Sequence, residues 1–172
     1  HFYDKMCKII LFLEKDVKQN FQNFEIFKIF KNNFTSLLFL FQRKIITIDQ
    51  SIIEIIENTK KPHSKFFYPE MKKFYSENKI SPNQKEQIDL NDIESFYEKR
   101  KIGENDSYIS SLIRNDSVEE FISHVNHSNI SLSNSRIKKS IFETNSFLIN
   151  KEPTLIEYAA FFGSIQIFQY LK

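Results

Sequence analysis

Hydrophobic residues in the first third of the chain recur every three or four positions, the period of an α-helix that buries one face. Phe21, Phe24 and Phe27 form one such series, and Ile48, Ile52 and Ile55 form another. The pattern predicts helices over residues 2–18, 21–30, 35–42 and 45–57. Because 35–42 is almost wholly apolar, we expect that helix to be buried. The Ile-rich segment 45–56 also suits β-strands, so both interpretations stay open there.

Turn-forming residues divide the next part of the chain. Residues 60–64, Lys-Lys-Pro-His-Ser, predict a break. A short helix over 69–78 would follow, with proline at its favoured first position. Ser81, Pro82 and Gln84 together resemble a capped helix start. A further helix over 89–101 is expected to end near Gly103.

Small residues are concentrated in one segment, 154–171, which reads TLIEYAAFFGSIQIFQYL. It holds the only two alanines of the protein and one of its two glycines. Thr154 and Glu157 have the spacing of a capping box, so a helix is predicted to begin there. Leu155, Ile156, Ala159 and Ala160 would share one face, and the alanines would let a neighbouring helix approach closely. Gly163 would end the helix at positive φ.

A second short helix is predicted directly after this turn. Ser164 is placed to cap it, and the residues expected to be buried are Ile165, Ile167, Phe168 and Leu171. The segment therefore predicts a helix, a tight turn and a second helix packed back to back.

This predicted hairpin resembles an ankyrin repeat, whose pattern is T-P-L-H-x-A-A, two variable residues, G and an apolar second helix. The matching positions are Thr154, Ile156, Ala159, Ala160, Gly163, Ile165, Ile167 and Leu171. Leu155 replaces the usual proline and Glu157 the usual histidine, so a Thr154–Glu157 capping box would replace the threonine–histidine hydrogen bond. The amino-acid sequence of the segment resembles still more closely that of divergent, uncharacterised ankyrin-like proteins of AT-rich protists. An unrelated helical hairpin is the alternative interpretation.

A weaker copy of the same pattern lies upstream, over residues 111–122. Leu112 and Ile113 take the alanine positions, Asp116 takes the glycine position, and Ser117 with Glu120 has capping-box spacing. The distance from Asp116 to Gly163 exceeds the ankyrin period of about 33 residues. A long connection over 126–152 would account for the excess. First repeats are often atypical, because they cap a stack.

Composition adds little that points to a ligand. The 19 Phe and 7 Tyr residues are explained by AT-rich codons, which makes the aromatic residues core filler in place of Leu. The net charge is +2, with Lys and Glu interspersed and no basic face or reading motif. We therefore expect no nucleic acid as a partner.

Residue patterns for catalysis or for cofactor and metal binding are missing from the sequence. Two glycines cannot form a phosphate-binding loop, and Cys7 has no neighbouring motif typical of a nucleophile. The histidines His1, His63, His124 and His127 do not form a convincing ligand set. We therefore predict no catalytic, cofactor or metal site and no enzymatic activity.

The cellular compartment is predicted from the cysteine count and from the length of the apolar segments. A single cysteine suits a reducing compartment. The apolar run 9–13 is too short for a signal sequence, and the window 36–48 is interrupted by Gln-Arg-Lys. These features predict a cytoplasmic protein without a membrane segment.

Together the patterns predict an all-α protein in two parts. Residues 1–103 would form an N-terminal helical region, either degenerate helical pairs or a separate bundle, that leads into the start of an ankyrin-like α-solenoid. Residues 104–172 would be degenerate ankyrin-like repeats. The chain begins at His1 and stops at Lys172 inside a predicted helix, so we expect a fragment with further repeats beyond Lys172 and incomplete cover over Ile167, Phe168 and Leu171.

The resemblance implies a function that composition and spacing do not show. It implies a non-enzymatic protein–protein interaction module with a protein partner, which would meet the loops near 126–135 and 150–153. One alternative is a regulatory or targeting segment of an enzyme whose catalytic part lies beyond residue 172. Another is a nucleic-acid-associated helical protein.

Overall fold

A computed structural model describes residues 2–58, 63–80, 92–149 and 151–172. Within these ranges the chain forms twelve α-helices and no β-strand, so the all-α prediction is confirmed. The chain divides into two compact units, His1–Ile93 and Glu94–Lys172. The sequence-based division after residue 103 stays a prediction. No helix in the described ranges has both the length and the apolar character to cross a membrane.

Within its described residues, the first unit contains seven helices along the chain. They are α1 (Phe2–Phe12), α2 (Glu14–Asn20), α3 (Asn23–Phe30), α4 (Phe34–Gln42), α5 (Gln50–Asn58), α6 (His63–Phe66) and α7 (Tyr68–Glu77). The predicted helix over 2–18 is present as α1 and α2. Hydrogen bonds from the Leu13 N–H to the Ile9 carbonyl and from the Val17 N–H to the Leu13 carbonyl continue from one helix to the next.

The helix predicted over 45–57 starts five residues later than expected. Lys44 has φ of +53°, and the N–H of Ile45 donates to the Leu40 carbonyl, an arrangement that ends α4. The Asp49 carboxylate then accepts from the Ile52 N–H at 2.9 Å and starts α5. Residues 45–49 therefore form an irregular connection between α4 and α5, and the strand alternative is wrong for this segment.

The predicted break at 60–64 is wrong at its C-terminal end. His63 and Ser64 are buried and form the first turn of α6, while residues 59–62 lie outside the described part of the chain. The helix predicted over 69–78 is confirmed as α7, with Pro69 in its first turn. The capped start at Ser81–Gln84 lies outside the described residues.

Part of the core of the first unit is a cluster of aromatic rings. Phe34 lies at the centre of this core, with ring centroids 5.0 Å from Phe66 and 4.4 Å from His63. Phe67 packs against Phe66 at 4.9 Å and against Phe41 at 5.2 Å. All five rings are buried, so these aromatic side chains serve as packing residues in this part of the core.

The second unit contains α8 (Ile93–Ile102), α9 (Tyr108–Arg114), α10 (Val118–His127), α11 (Leu155–Phe162) and α12 (Ile165–Leu171). Gly103 ends α8 with φ of +72°, and a Cβ there would lie 2.8 Å from the Thr144 Oγ1. Thr144 donates to the Gly103 carbonyl through both its N–H and its hydroxyl. This contact ties the end of α8 to the connection between α10 and α11.

That connection covers residues 128–153, of which residue 150 is not described. It consists of turns and one isolated bridge, between Arg136 and Thr154. Its apolar side chains Ile137, Phe142 and Leu148 are buried. The long connection predicted from the sequence is therefore confirmed, and it contributes to the core of the second unit.

Candidate interaction surface

Helix α11 begins and ends as its sequence predicts. The Thr154 hydroxyl accepts from the Glu157 N–H at 3.3 Å, and the Glu157 carboxylate accepts from the Thr154 N–H at 2.7 Å. Hydrogen bonds from the backbone and hydroxyl of Thr154 lower the pKa of Glu157. Gly163 has φ of +70° and ends the helix. The capping box and the glycine turn are both confirmed.

Helices α9 and α10 have the same N-cap position and the same left-handed turn 47 residues earlier in the chain. Ser107 occupies the N-cap position that Thr154 occupies in the later pair, and both residues have extended backbone. Asp116 has φ of +51° where Gly163 has +70°. Aspartate tolerates the left-handed region better than most residues, which explains how the turn forms without glycine. The weak upstream pattern therefore marks a true helix pair.

The two turns also share their hydrogen bonding. In each turn, the residue that follows the left-handed residue donates its N–H to the carbonyl five positions earlier. The Ser117 N–H donates to the Leu112 carbonyl at 3.0 Å, and the Ser164 N–H donates to the Ala159 carbonyl at 3.0 Å. This bond closes a helix C-terminus in the manner of a Schellman motif. The two helix pairs thus have equivalent positions related by a shift of 47 residues.

The pairs pack side by side, first helix on first and second on second. Helix α9 lies against α11, and α10 lies against α12. Ala159 has no exposed surface and belongs to the same core cluster as Ile113 and Phe121. The close approach expected of the alanine pair is therefore made by Ala159.

Helix α12 takes its N-terminal cap from the other helix pair. The Asp116 carboxylate accepts from the N–H groups of Gln166 at 3.1 Å and Ile167 at 3.0 Å. Ser164 occupies the N-cap position but makes no capping bond, because its hydroxyl donates to the Ile113 carbonyl. The prediction that Ser164 caps this helix is wrong. Ser117 also makes no side-chain cap, so the Ser117–Glu120 capping box is wrong too.

Asp116 has a lowered pKa as a result of this contact. Burial raises the pKa of its carboxyl, but the backbone hydrogen bonds from Ile167 and Gln166 outweigh that effect. The ionised form is therefore the one that stabilises the packing of the two pairs.

Substitution of Asp116 by asparagine tests this cap. Asparagine keeps the left-handed backbone but loses the charge and one acceptor, so we expect the free energy of unfolding to fall by about 0.5–1 kcal/mol at pH 7. Because the folded pKa is depressed, the contribution of Asp116 is present above the unfolded pKa of about 3.9 and is lost as the pH falls through the folded value. The difference between wild type and Asp116→Asn should therefore shrink in acid. Urea denaturation at several pH values measures it.

The exposed Glu98 on α8 supplies the control, as Glu98→Gln removes a carboxylate outside this contact. We expect it to change stability by less than about 0.5 kcal/mol. A pH-independent loss in Asp116→Asn would contradict a role for the ionised carboxylate.

A buried polar cluster joins α9 to α11, and sequence reasoning missed it. Arg114 Nη1 donates to the Tyr158 hydroxyl at 2.9 Å and to the Asn105 carbonyl at 3.0 Å, and Arg114 Nε pairs with Glu104 at 2.8 Å. Burial raises the pKa of Tyr158. The arginine in the last turn of α9 was the only signal in the sequence.

Glu143 lies beside this cluster but has no room for a substrate. Burial raises the pKa of its carboxyl, although backbone hydrogen bonds from Asn145 and Asn105 oppose the shift. The cavity next to it, which Tyr158 also lines, has a volume of about 10 Å³. This space holds one water molecule at most, so the cluster acts as a structural link between α9, α11 and the connection.

The residues picked out as the repeat motif divide between the core and the surface. Leu155 and Ile167 are fully buried, whereas Phe168 and Leu171 are half-buried. The incomplete cover expected over Ile167 is therefore wrong. Ala160 is exposed and Ile165 is 65% exposed, so the prediction that these two residues are buried is also wrong.

Two exposed members of the motif and one half-buried member make up what we call the outer face. Its residues are Ile156, Ala160 and Ile165. Their equivalents in the first pair, Ile109, Ile113 and Val118, all pack against the cluster that the two pairs share. Ile113 contacts the second pair directly through Ser164. Ala160 and Ile165 are therefore exposed at positions whose equivalents in the first pair are covered, whereas Ile156 is half-buried like its equivalent Ile109.

The remaining predicted positions carry no clear chemistry. The loop at 126–135 is largely exposed, and residue 150 of the second predicted loop is outside the described ranges. His124 stacks edge-on against Tyr108 at 5.0 Å. Over the described residues, no three His, Cys, Asp or Glu side chains come together as metal ligands.

Comparison of the chain with protein-family models, with curated proteins and with solved structures finds no match. The resemblance to ankyrin repeats therefore depends on the local sequence pattern alone.

Proposed function

We propose that this chain is a non-enzymatic protein–protein interaction module, built on ankyrin-like helix pairs, and that its outer face receives a further helix pair from this protein or from a partner. One observation carries the proposal: α9–α10 and α11–α12 are equivalent pairs that pack in the same order, with the same turn geometry. Arrays of this kind bury each unit on its neighbour and bind partners through the surfaces that remain.

The chemistry of the outer face supports the same proposal. Ile113 is completely buried between the pairs, while its equivalent Ala160 is exposed. Val118 is partly covered, while its equivalent Ile165 is 65% exposed. A small residue flanked by two isoleucines offers a close-packing surface for another helix.

The test extends the chain by one period. A second copy of residues 126–172, which is 47 residues long, is appended after Lys172 and brings its own connection and helix pair. If the outer face receives a helix pair, the added residues fold on it. We then expect a larger helical circular dichroism signal and a higher urea midpoint than in the original chain.

Two variants of the extended chain sharpen the test. Gly163→Asp in the first copy restores the carboxylate that Asp116 supplies to α12, and it should raise the midpoint further. Ile165→Lys in the first copy should cancel the gain, although it should leave the original chain nearly unchanged because that side chain is exposed there. An added copy that stays unfolded, with no change in midpoint, would contradict the proposal.

A further inference from the structure

The first unit contains an apolar groove that the proposed function does not use. Its volume is about 450 Å³, within the range of small-molecule sites. Helices α1 and α2 form one wall, α3 forms the other, and α4 closes the floor through Leu40. The groove belongs entirely to the first unit, so it is independent of the helix pairs.

One wall of the groove is a continuous hydrophobic stripe. It is formed by Met6, Ile9, Ile10, Leu13 and Val17, which recur at helical spacing along α1 and α2. From Lys5 to Val17 the stripe is about 18 Å long at the rise of an α-helix. Ile9 is 58% exposed and Leu13 is 38% exposed, whereas Ile10 is buried, so the stripe is open to solvent at Ile9 and Leu13.

The opposite wall is formed by Ile26 and Phe30 of α3. The hydroxyl of Ser36 on α4 donates to the Met6 sulfur at 3.4 Å, which fixes α1 against α4 near the start of the stripe. Lys5 lies at this same end and is the one charged residue among the described residues that line the groove. Over the described residues, the site is therefore a long apolar groove with the Lys5 ammonium group at one end.

The lining of the groove determines which class of ligand it can bind. Apolar walls offer no hydrogen-bond partner, so a ligand with polar groups along its length would lose its bonds to water without replacement. A hydrocarbon chain has no such bonds to lose and gains from leaving water. The ammonium group of Lys5 adds an attraction for a negative charge at one end only.

We propose that the groove binds a free fatty acid, with its acyl chain along α1 and α2 and its carboxylate at Lys5. The acyl chain lies between Ile9 and Leu13 on one side and Ile26 and Phe30 on the other. The long stem of Lys5 lets its ammonium group remain in water while it pairs with the carboxylate.

Titration calorimetry of the full chain with dodecanoate, below its micelle concentration, tests the proposal. We expect saturable binding of one dodecanoate per chain. Lys5→Glu should weaken it at least tenfold, whereas Lys15→Glu, at an exposed α2 residue outside the groove, should leave it unchanged. Ile9→Asp, which places a carboxylate in the wall at an exposed position, should abolish binding without loss of helical signal.

Three outcomes would overturn the proposal. The first is the absence of saturable dodecanoate binding by the folded chain. The second is equal affinity for dodecanol, which has the same chain but no charge, or equal affinity in Lys5→Glu and Lys15→Glu. The third is sedimentation with phosphatidylglycerol vesicles without binding of dodecanoate monomers, because that result would indicate a lipid surface as the ligand.

Discussion

Ala159→Leu lowers the free energy of unfolding by about 2–3 kcal/mol, whereas the same change at the adjacent Ala160 leaves it nearly unchanged. Ala159 is completely buried where α9 meets α11, and three added carbon atoms there must push the helices apart. Ala160 is exposed, so leucine extends into solvent at that position. Alanine and leucine have similar helix propensities, and the comparison therefore isolates packing.

Guanidinium denaturation followed by circular dichroism measures this difference. The two variants have the same composition and differ only in which of two neighbouring residues is changed, so each is the control for the other. Equal losses in both variants would contradict the placement of Ala159 between the helices. In the extended chain, we expect Ala160→Leu to become destabilising as well, because the outer face would then be covered.

Arg114→Met costs about 2–4 kcal/mol by the same measurement. The arginine side chain is only 13% exposed and donates to the Tyr158 hydroxyl and the Asn105 carbonyl. Methionine fills much of the volume but leaves both oxygen atoms without this donor and Glu104 without its ion pair. The loss therefore reports the polar link between the two helix pairs.

A double-mutant cycle separates this link from general damage. Tyr158→Phe removes the hydroxyl and should cost about 1 kcal/mol alone, but much less when Arg114 is already methionine. Arg136→Met is the matched control, since Arg136 is exposed and its Nη1 donates to the Glu152 carbonyl at the surface. Strict additivity of the Arg114 and Tyr158 changes would show that the two side chains are not coupled.

Helix ends were predicted best where the deciding interactions are local. The bond between Thr154 and Glu157 spans three residues, and the glycine turn after α11 depends on the conformation of one residue. The start of α5 was missed although its cap is also local. Asp49 was read as part of a longer apolar helix, and the left-handed turn at Lys44 has no glycine to mark it.

Burial within the second helix pair was predicted less well. Spacing alone places Ala159 and Ala160 on one broad face, yet only Ala159 meets α9. Neighbouring residues on a helix point about 100° apart, so the position of the partner helix decides which one is covered. The same reason explains why Ile167 is buried and Ile165 is exposed.

The sequence by itself determined the all-α class, the helix–turn–helix form of both pairs and the ends of α11. Each of these depends on periodicity or on bonds between residues a few positions apart. Only the tertiary structure decided that Asp116 caps α12, that Arg114 reaches Tyr158 and that Ala160 and Ile165 are exposed. The Asp116 and Arg114 contacts join residues more than 40 positions apart, and the packing of one helix pair on the other brings those residues together.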